Sequence, residues 1–502
     1  MRITERPAVG GVVATIAGLA TSELVAGIAG SSVTPVLAVG ESIIALTPGS
    51  VAEKAIGAVG QLDKPLLVVG VVAGALAIGA GLGSLVPHRP QAAFGGFAAM
   101  ALLGVVAVLT RSDSRPVEAL SALVGGIVAT MVLRWFNRFA AQPEGRSAEA
   151  IGADRRTFLR NVGLVLAGSA LVAGAGRWVG RARSVVEDAR AGLALPVKPA
   201  DVPAGADLGV RGVAPWLTPN DEFYRIDTAL TPPLIDPTDW SLRIHGMVER
   251  EMTLSYDDLL ERGLENAWVT LCCVSNEVGG ELIGNTEWSG VPIKAILSEV
   301  GVKAGADALL STSEDGWSCG TPLSALTDGR SSLLAVAMNG RPLPVDHGFP
   351  VRQVVPGLYG YVSATKWVVD WEVTTFDRIE AYWTQRGWGE KGPIKTQSRI
   401  DTPRGDVDAG TVKVAGVAWA QHRGIEKVEV RVDEGPWREA TLATVPGIDT
   451  WVQWVWDWDA ERGDHTLEVR ATDKTSAPQT AKVADVLPDG ATGHHGVGLT
   501  VR

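Results

Sequence analysis

Five long apolar runs in the first 180 residues constrain the fold of this 502-residue chain more than any other feature. A membrane-spanning helix needs about 20 mostly apolar residues, and five stretches meet or approach that length: 8–30, 64–86, 92–110, 117–138 and 161–178. Small residues are frequent in these runs, as close helix packing in lipid favours. Residues 35–47 are shorter and contain Glu41, so we expect them to be re-entrant or interfacial. The sequence therefore predicts an all-α transmembrane domain of about five helices over residues 1–180.

The balance of positive and negative residues also changes near residue 180. Residues 1–180 carry 14 Lys and Arg against 10 Asp and Glu, whereas the remainder carries 31 against 46. This balance excludes a nucleic-acid-binding polycation, and a hydrophobic content of 46% excludes wholesale disorder. Three cysteines are too few for a disulfide scaffold or a Cys-rich zinc protein. We expect a membrane-embedded region joined to folded domains with no nucleic-acid partner.

Basic residues in short loops predict the orientation of the membrane domain, because Lys and Arg are retained on the cytoplasmic side. With the amino terminus inside, the cytoplasmic segments hold nine arginines: Arg2, Arg6, Arg89, Arg134, Arg138, Arg146, Arg155, Arg156 and Arg160. The outer loops hold fewer cations, namely Lys54, Lys64, Arg111 and Arg115. An odd number of spans then places the rest of the chain outside, although Arg177, Arg181 and Arg183 argue mildly against this. The prediction is a multi-pass protein of the cell membrane with its folded domains on the extracytoplasmic side.

The last apolar run is preceded by a pair of arginines, in the sequence Arg155-Arg156-Thr157-Phe158-Leu159-Arg160. This sequence resembles a twin-arginine export signal, placed internally. Such signals serve proteins that fold and take up a cofactor before they cross the membrane. An ordinary positive flank of a span would need only the two adjacent arginines. The fuller motif favours export of a folded domain that keeps this span as its anchor.

Histidine usage limits how the membrane domain can handle electrons. A haem held between helices needs paired axial ligands, usually histidines. The only histidine before His245 is His88, in a short loop, so a bis-histidine haem is excluded. We therefore expect a separate electron-transfer partner, either a protein or a quinone-linked carrier.

Three segments follow the membrane domain. Repeated prolines mark residues 181–220 as an exposed linker. Residues 221–395 mix strand-like runs such as Ser241–Gly246 with helical runs such as Ile293–Val300, which predicts an α+β domain. Residues 396–502 alternate apolar and polar side chains, which predicts an all-β sandwich; the runs are Val412–Ala420, Ile425–Asp433, Trp451–Asp459 and His465–Asp473.

Two features of the predicted sandwich resemble binding sites, but we expect neither to be one. The tryptophan-rich run 451–458 resembles a stacking platform, but sandwich core together with an interface face explains it better. The adjacent His494 and His495 suit a metal ion, but a solvated pair near the end of the chain is the simpler expectation.

Two adjacent cysteines end an apolar run, Thr270-Leu271-Cys272-Cys273-Val274-Ser275-Asn276. Side chains alternate along a strand, so one thiol faces the core and the other is presented at the mouth of a loop. A presented thiolate is a soft metal ligand or a nucleophile. A nucleophile needs a base, yet neither His245 nor His347 stands in a protease or transferase signature. Two structural cysteines, a vicinal disulfide or a Cys272–Cys319 disulfide are the alternatives.

A segment rich in glycine and proline, residues 338–367, carries three cations. Glycine and proline at this density allow close backbone approach to a ligand and hold polar side chains on fixed loops. Arg352 suits a phosphate through its bidentate fork, Lys366 as a point charge, and His347 as a further cation. The segment therefore predicts an anion-binding set of loops, with solvated surface turns as the alternative.

Together these residues resemble the sulfite oxidase family of molybdopterin-dependent oxidoreductases. The resemblance covers about residues 221–395 and rests on Cys-x-x-Asn at residues 273–276, on the run from Asn339 to Arg352 with its His-Gly-Phe-Pro, and on Lys366-Trp367. It implies a molybdenum–molybdopterin cofactor (Mo-co), with Cys273 as the metal ligand and Cys272 facing the core. It further implies that the pterin phosphate is contacted by His347, Arg352 and Lys366, and that the pterin pocket is lined by Tyr224, Arg225, Ser275 and Asn276.

The resemblance continues in the carboxyl-terminal part of the chain. Residues 396–502 resemble the immunoglobulin-like dimerisation domain that follows the molybdenum domain in the same family. This implies a homodimer that forms through the carboxyl-terminal domain.

Two departures from the family pattern concern the substrate. Members that oxidise sulfite carry an arginine just after the Cys-x-x-Asn tract, where this chain has Glu277, and a tyrosine where this chain has Val336. Glu277 would repel a dianion. We therefore expect two-electron, oxygen-atom-transfer-type redox chemistry on a small molecule other than sulfite, with Cys273, Glu277 and Asp315 as the catalytic candidates. A non-enzymatic, membrane-anchored binding protein on the same fold and a cysteine-dependent transferase are the alternative functions.

Overall fold

A computed structural model describes residues 6–29, 31, 33–48, 51, 59, 62–111, 114, 116–137, 148–179 and 182–502. Six residues that entered the orientation prediction lie outside this set: Arg2, Lys54, Arg115, Arg138, Arg146 and Arg181. The chain divides into two compact units, the first of Met1–Asp188 with Thr228–Leu234, the second of Ala189–Asp227 with Ile235–Arg502.

The described helices up to Gly192 follow the apolar runs of the sequence, except for the last, which lies within the residues predicted to be an exposed linker. They are α1 (Arg6–Ile28), α2 (Pro35–Leu46), α3 (Asp63–Leu85), α4 (Pro90–Leu109), α5 (Ala119–Asn137), α6 (Ala148–Val179) and α7 (Ala182–Gly192). Within the part of the chain that the structure describes, five helical stretches are long and apolar enough to cross a membrane: Arg6–Ile28, Asp63–Leu85, Pro90–Leu109, Pro116–Asn137 and Arg156–Ala175. The prediction of five membrane-length helices is therefore confirmed, and α2 forms a shorter apolar helix where the interfacial segment was expected.

Glycines allow α1 to approach its neighbours closely. A Cβ atom added at Gly11 would lie 2.0 Å from the carbonyl oxygen of Gly79, and one at Gly18 would lie 2.8 Å from that of Gly125. The Ser22 hydroxyl on α1 also donates to the Ser121 carbonyl over 2.9 Å. Small residues thus bring the helix backbones together, as expected for helices that pack in lipid.

The phenylalanine of the twin-arginine-like run belongs to the core of the first unit. Phe158 is 1% exposed, and its ring meets that of Phe136 edge-on with centroids 5.4 Å apart. The Arg6 guanidinium carbon lies 6.0 Å from the centre of the Phe158 ring. This side chain therefore contributes to packing between α1, α5 and α6.

The α+β part of the second unit is built on two sheets. In the first, the order is β2-β1-β10-β5-β6, and β1 and β10 are parallel. In the second, the order is β3-β4-β7-β8, and β9 pairs with β7. The strands are β1 (Ser241–Gly246), β2 (Met252–Ser255), β3 (Glu265–Cys272), β4 (Ile283–Pro292), β5 (Ala308–Ser313), β6 (Ser318–Pro322), β7 (Leu333–Met338), β8 (Arg341–Pro342), β9 (Arg352–Val354) and β10 (Val368–Thr374).

Short helices connect these strands, and local sequence explains two of them. They are α8 (Tyr256–Glu261), α9 (Ile293–Val300), α10 (Leu323–Thr327) and α11 (Gly360–Ser363). A capping box begins α8, because the Ser255 hydroxyl accepts from the Asp258 N–H while the Asp258 carboxylate accepts from the Ser255 N–H. Helix α9 buries Ile293, Ile296, Leu297 and Val300, which share one helix face. The predicted α+β fold is confirmed.

The last part of the second unit is a sandwich of two antiparallel sheets. Their orders are β11-β12-β16-β15 and β14-β13-β17-β18. The strands are β11 (Gln397–Thr402), β12 (Gly410–Trp419), β13 (Ile425–Val432), β14 (Arg438–Glu439), β15 (Thr441–Leu442), β16 (Val452–Ala460), β17 (Gly463–Asp473) and β18 (His495–Val501). Alternate side chains of both sheets form the core, where Trp454, Val428 and Leu467 are fully buried. The sandwich is therefore confirmed, and Trp454 belongs to its core.

The two adjacent histidines are not a solvated pair, contrary to expectation. His494 Nδ1 lies 2.7 Å from a carboxylate oxygen of Glu468, and the Ile400 N–H donates to His495 Nδ1 over 3.0 Å. Both rings are tied into the sandwich because β18 begins at His495 and places it against β11.

One hydrophobic core runs through the sandwich and the α+β part of the second unit. It includes Trp419 and Trp451 of the sandwich together with Trp216, Leu242 and Trp371. The indole N–H of Trp216 donates to the Trp451 carbonyl over 3.2 Å, and that of Trp451 donates to the Trp216 carbonyl over 3.0 Å. The two parts are therefore packed as one body.

Candidate functional site

Strand β3 carries the two adjacent cysteines to the edge of a turn. Cys272 pairs with Ile283 of β4 and is 1% exposed, whereas Cys273 follows the strand and is 9% exposed. The Cys273 N–H donates to the Leu282 carbonyl over 2.9 Å, and the Asn276 N–H donates to the Cys273 carbonyl over 3.1 Å. All three cysteines of the chain are free, so neither disulfide alternative is formed.

The two thiols differ in the donors around their sulfur atoms. Burial raises the pKa of the Cys273 thiol, while hydrogen bonds from the Ser275 N–H, the Ser275 hydroxyl and the Val274 N–H lower it. Burial and the neighbouring Cys273 raise the pKa of Cys272 well above its ordinary value, against the charge of Arg399. Donors that stabilise a thiolate suit a metal ligand, because the thiolate is the form that binds metals. The donor set therefore fits a metal at Cys273 and a core role for Cys272.

Asp227 joins two of the predicted cations. Its Oδ2 atom lies 2.5 Å from Lys366 Nζ and 3.0 Å from Arg225 Nε. Lys366 Nζ also donates to the Asp346 carbonyl over 3.1 Å, and Arg225 Nη1 lies 3.0 Å from Asp346 Oδ1. Burial lowers the pKa of Lys366 to about 8, with the Asp227 charge acting to raise it. Lys366 is therefore a buried ammonium group at neutral pH.

Arg352 is a buried cation held by two backbone carbonyls. Its Nη1 donates to the His347 carbonyl over 3.0 Å and its Nη2 to the Ala364 carbonyl over 3.3 Å. Its guanidinium carbon lies 4.8 Å from the centre of the Trp288 ring. Burial lowers its pKa to about 10, so the group stays charged at neutral pH. Its Nε atom is buried and has no hydrogen-bond partner among the described residues, which fits an anionic group such as a phosphate.

His347 differs from the expectation that it supplies a positive charge. Burial lowers its pKa to about 4, and the charges of Arg352 and Lys366 act in the same direction. Its Nε2 atom lies 3.1 Å from the Asn220 carbonyl oxygen, so Nε2 carries the proton and Nδ1 is left as an acceptor. That expectation is wrong because the imidazole is neutral at pH 7. A contact between His347 and a cofactor stays a prediction.

Tyr224 lies close to the cysteine pair. A Cβ atom added at Gly360 would be 3.7 Å from the Cys272 carbonyl oxygen and 3.8 Å from the Tyr224 phenol oxygen. Burial raises the pKa of Tyr224 well above its ordinary value, and Cys273 and Cys272 raise it further, while Arg352 opposes them. The phenol therefore keeps its proton at neutral pH.

The remaining predicted residues occupy two different environments. Asp315 accepts a hydrogen bond from the Trp317 N–H over 3.2 Å. Burial raises its pKa, and Asp227 and Lys366 are among the charges that act on it, so Asp315 lies within electrostatic range of the cation cluster, which we define as Arg225, Asp227, Asp346 and Lys366. Asn276 Oδ1 shapes the turn after Cys273 by accepting from the Leu282 N–H over 2.8 Å. Glu277 is exposed on this turn and does not enter the cluster.

Sequence reasoning missed three residues of the site: Asn220, Asp227 and Trp288. The Asn220 side chain donates to the Met338 carbonyl over 3.1 Å and accepts from Asn339 Nδ2 over 2.8 Å, while its carbonyl holds His347. Asn220 and Asp227 flank the Phe-Tyr-Arg segment at residues 223–225, and this position was an available signal. Trp288 gave none, because a tryptophan inside an apolar strand indicates core packing.

Known proteins resemble this part of the chain. A family model described as an oxidoreductase molybdopterin binding domain matches residues 229–383. An uncharacterized oxidoreductase of Bacillus subtilis is 33% identical over 170 residues, which is 34% of this chain and 82% of that protein. The mitochondrial sulfite oxidase of Mus musculus is 28% identical over 334 residues, which is 54% of this chain and 58% of that protein. The chain thus spans less than two thirds of the mouse protein.

A solved structure shows a similar fold. The sulfane dehydrogenase SoxCD from Paracoccus pantotrophus superposes with a TM-score of 0.50 at 22% sequence identity. The match covers 62% of this chain and 93% of that one. At this level of identity the likeness concerns the fold alone.

Proposed function

The chain belongs to the sulfite oxidase family of molybdopterin-dependent oxidoreductases, and on that premise we propose that it is a membrane-anchored, extracytoplasmic enzyme that acts on a small molecule. Its reaction would be two-electron chemistry of the oxygen-atom-transfer type. The observation that carries the proposal is the position of Cys273, which follows β3 at the edge of a turn where Ser275 and Val274 act to lower the pKa of the thiol. The buried cations Arg352 and Lys366 support it.

The residues present fit Mo-co. Cys273 would ligate the molybdenum, and the unused Nε donor of Arg352 together with the Lys366 ammonium group would contact the pterin phosphate. His347 would lie beside that phosphate, while Tyr224, Arg225, Ser275 and Asn276 would line the pterin pocket. When bound, the cofactor supplies a two-electron redox centre, and the protein supplies orientation and electrostatics around it.

Two side chains can hold and exchange protons, namely Tyr224 close to the cysteine pair and Asp315 within electrostatic range of Lys366. Because burial raises the pKa of Tyr224, its phenol is a hydrogen-bond donor across the neutral range. Burial also raises the pKa of Asp315, so this carboxyl group keeps a proton to a higher pH than an exposed aspartate does. The low exposure of Cys273, at 9%, limits the access of water to the sulfur. These groups would orient a substrate and exchange protons with it.

The charges around the site oppose a dianionic substrate. Arg225 and Lys366 are paired with Asp227, and Arg352 donates to two backbone carbonyls. The exposed Glu277 adds a carboxyl group on the turn after Cys273. Little net positive charge is left to attract a dianion such as sulfite. We therefore expect an uncharged substrate class, such as sulfoxides or N-oxides.

Metal analysis tests the proposal. The full-length protein, purified from a molybdenum-replete host, is expected to hold about one molybdenum atom per chain. Cys273→Ala should lose the metal, whereas Cys272→Ala, its matched control, should keep it. Metal-free wild-type protein would overturn the proposal in favour of a membrane-anchored binding protein on the same fold. Activity assays with sulfite, sulfoxides and N-oxides and artificial electron carriers would then identify the substrate class.

The location and partners need separate tests. Five membrane-length helices and the distribution of arginines support a multi-pass protein of the cell membrane with residues 181–502 outside the cytoplasm. The orientation can be tested by fusing, after Arg502, a phosphatase that is active only outside the cytoplasm. We expect the fused phosphatase to be active, and an inactive fusion would show that the orientation is the opposite one. We further propose a separate electron-transfer partner and a homodimer through the sandwich, which cross-linking of the purified protein would detect.

A further inference from the structure

The segment that carries Cys273 is anchored to the sandwich at its first residue. Thr270, three residues before Cys273 on β3, is fully buried. Its N–H donates to the Asp449 carbonyl over 2.9 Å, its carbonyl accepts from Gln421 Nε2 over 3.0 Å, and its hydroxyl accepts from the Trp451 N–H over 2.7 Å. Three sandwich residues therefore fix both the backbone and the side chain of Thr270.

The same segment is anchored to the sandwich again after the turn. Arg399 Nη1 donates to the Gly280 carbonyl over 2.6 Å. A Cβ atom added at Gly279 would lie 2.3 Å from His495 Cδ2, so only glycine lets the turn pack this closely against the imidazole. Residues 270–282, which we call the ligand segment, are thus held by the sandwich on both sides of Cys273.

The Arg399 side chain is held in place by a buried carboxylate. It is 4% exposed, and its Nε atom donates to Asp401 Oδ1 over 2.6 Å. The other carboxylate oxygen of Asp401 accepts from the Ala214 N–H over 3.0 Å. Arg399 is therefore a rigid, buried cation that is hydrogen-bonded to the turn after Cys273.

We propose that the sandwich positions the metal ligand, through Arg399 at one end of the ligand segment and through the contacts of Thr270 at the other. The inference rests on the proposed role of Cys273 as the ligand. Thr270 and Cys273 belong to one stretch of β3 and the turn that follows it, so a shift of either anchor moves the sulfur. Arg399 and Thr270 do not lie at the sulfur itself, so they are positioning residues.

The test uses the full-length, molybdenum-loaded protein with three variants and one control. Arg399→Gln removes the buried charge and the guanidinium donors, whereas Arg399→Lys keeps the charge but not the planar guanidinium group. Thr270→Val removes the hydroxyl group and leaves the net charge unchanged. Arg470→Gln is the control, because Arg470 pairs with Glu429 over 3.0 Å elsewhere in the sandwich. The measurements are molybdenum content, the EPR spectrum of the half-reduced metal centre, its midpoint potential and the melting temperature.

We expect all four proteins to keep molybdenum. Arg399→Gln should shift the EPR g values and lower the midpoint potential, because loss of a positive charge makes it less favourable to add an electron to the metal centre. Arg399→Lys should shift the EPR spectrum with a smaller change in potential, and Thr270→Val should shift the EPR spectrum alone. Arg470→Gln should match the wild type in both.

Two results would overturn the inference. One is a wild-type EPR spectrum and potential in metal-loaded Arg399→Gln and Thr270→Val, and the other is an equal shift in Arg470→Gln. If Arg399→Gln does not fold, Arg399→Lys and Thr270→Val carry the same comparison. Failure of the proposed function is distinguishable, because the wild-type protein would then contain no molybdenum at all.

Discussion

Lys366 and Asp227 lie 139 residues apart in the sequence and form a buried ion pair, with Nζ 2.5 Å from Oδ2. Their side chains are 9% and 4% exposed. The pair ties the loop before β10 to the segment that carries Tyr224 and Arg225. Because both groups are buried, each charge needs the other to offset the free-energy cost of its desolvation.

Removing the carboxylate from this pair should destabilise the protein. We expect Asp227→Asn to lower the free energy of unfolding by about 3 kcal/mol, because a buried ammonium group loses its counter-charge. Denaturant unfolding of the second unit, followed by tryptophan fluorescence, measures the change. Asp236→Asn is the matched control, since Asp236 accepts from Thr238 in an exposed turn. Equal losses in the two variants would contradict the assignment, and Asp227→Asn/Lys366→Met should recover part of the loss.

The neutral imidazole of His347 predicts a pH dependence of stability. Its pKa of about 4 in the folded chain lies below the ordinary value of 6.5, so folding favours the neutral form. This contribution is fully present above pH 6.5 and is lost as the pH falls towards 4, by up to about 3 kcal/mol. The wild-type melting temperature should therefore fall more between pH 7 and pH 5 than that of His347→Gln. Equal falls in the two proteins would contradict the assignment of a neutral, buried imidazole to His347.

A single glycine separates Arg352 from Lys366. Gly348 has a φ of +107°, and a Cβ atom there would lie 3.0 Å from Arg352 Cβ and 3.2 Å from Lys366 Cα. Gly348→Ala should cost about 1 kcal/mol for the left-handed backbone, with a further loss from displacement of the two cations. Gly263→Ala is the control, because Gly263 has a φ of +82° with open space around it. Unfolding and molybdenum content should both change more for Gly348→Ala, and equal effects would refute the crowding argument.

Asn339 connects the β7–β8 turn to Asn220. Its Nδ2 donates to the Thr218 carbonyl over 3.0 Å and to Asn220 Oδ1 over 2.8 Å, and its Oδ1 accepts from the Glu287 N–H over 3.1 Å. Asn339 also has a positive φ of 52°. Asn339→Ala should cost about 3 kcal/mol, because buried partners are left unpaired. Asn339→Gly removes the same bonds without the backbone strain, so a smaller loss in that variant separates the two causes by denaturant unfolding.

Local patterns predicted the parts of the fold where one face of an element is buried. Ser241–Gly246 and Ile293–Val300 form a strand and a helix at the same residues as predicted, because their apolar side chains repeat at the period of each element. Strands β11 and β18 were not predicted. Buried polar residues such as Gln397 and Arg399 interrupt the pattern in β11, and glycines interrupt it in β18. Their places depend on partners that are distant in sequence.

The site could be predicted where chemistry and spacing coincide in one tract. Cys273, Arg352 and Lys366 were selected for that reason, and the structure buries all three. Asp227 and Arg399 were missed, because each acts through an ion pair or hydrogen bond formed only by the folded chain. The charge of His347 was misjudged because the cost of burying an imidazolium does not show in a sequence.

The reciprocal hydrogen bonds between Trp216 and Trp451 limit where this protein can be cut into stable fragments. A fragment cut at residue 395 would expose one face of a shared core and leave the Trp216 indole N–H without its acceptor. Such a fragment should aggregate or melt at a lower temperature, and not report on the isolated site. Residues 189–502 should instead unfold in one calorimetric transition, so a shortened protein for crystallisation or assay has to keep both parts together.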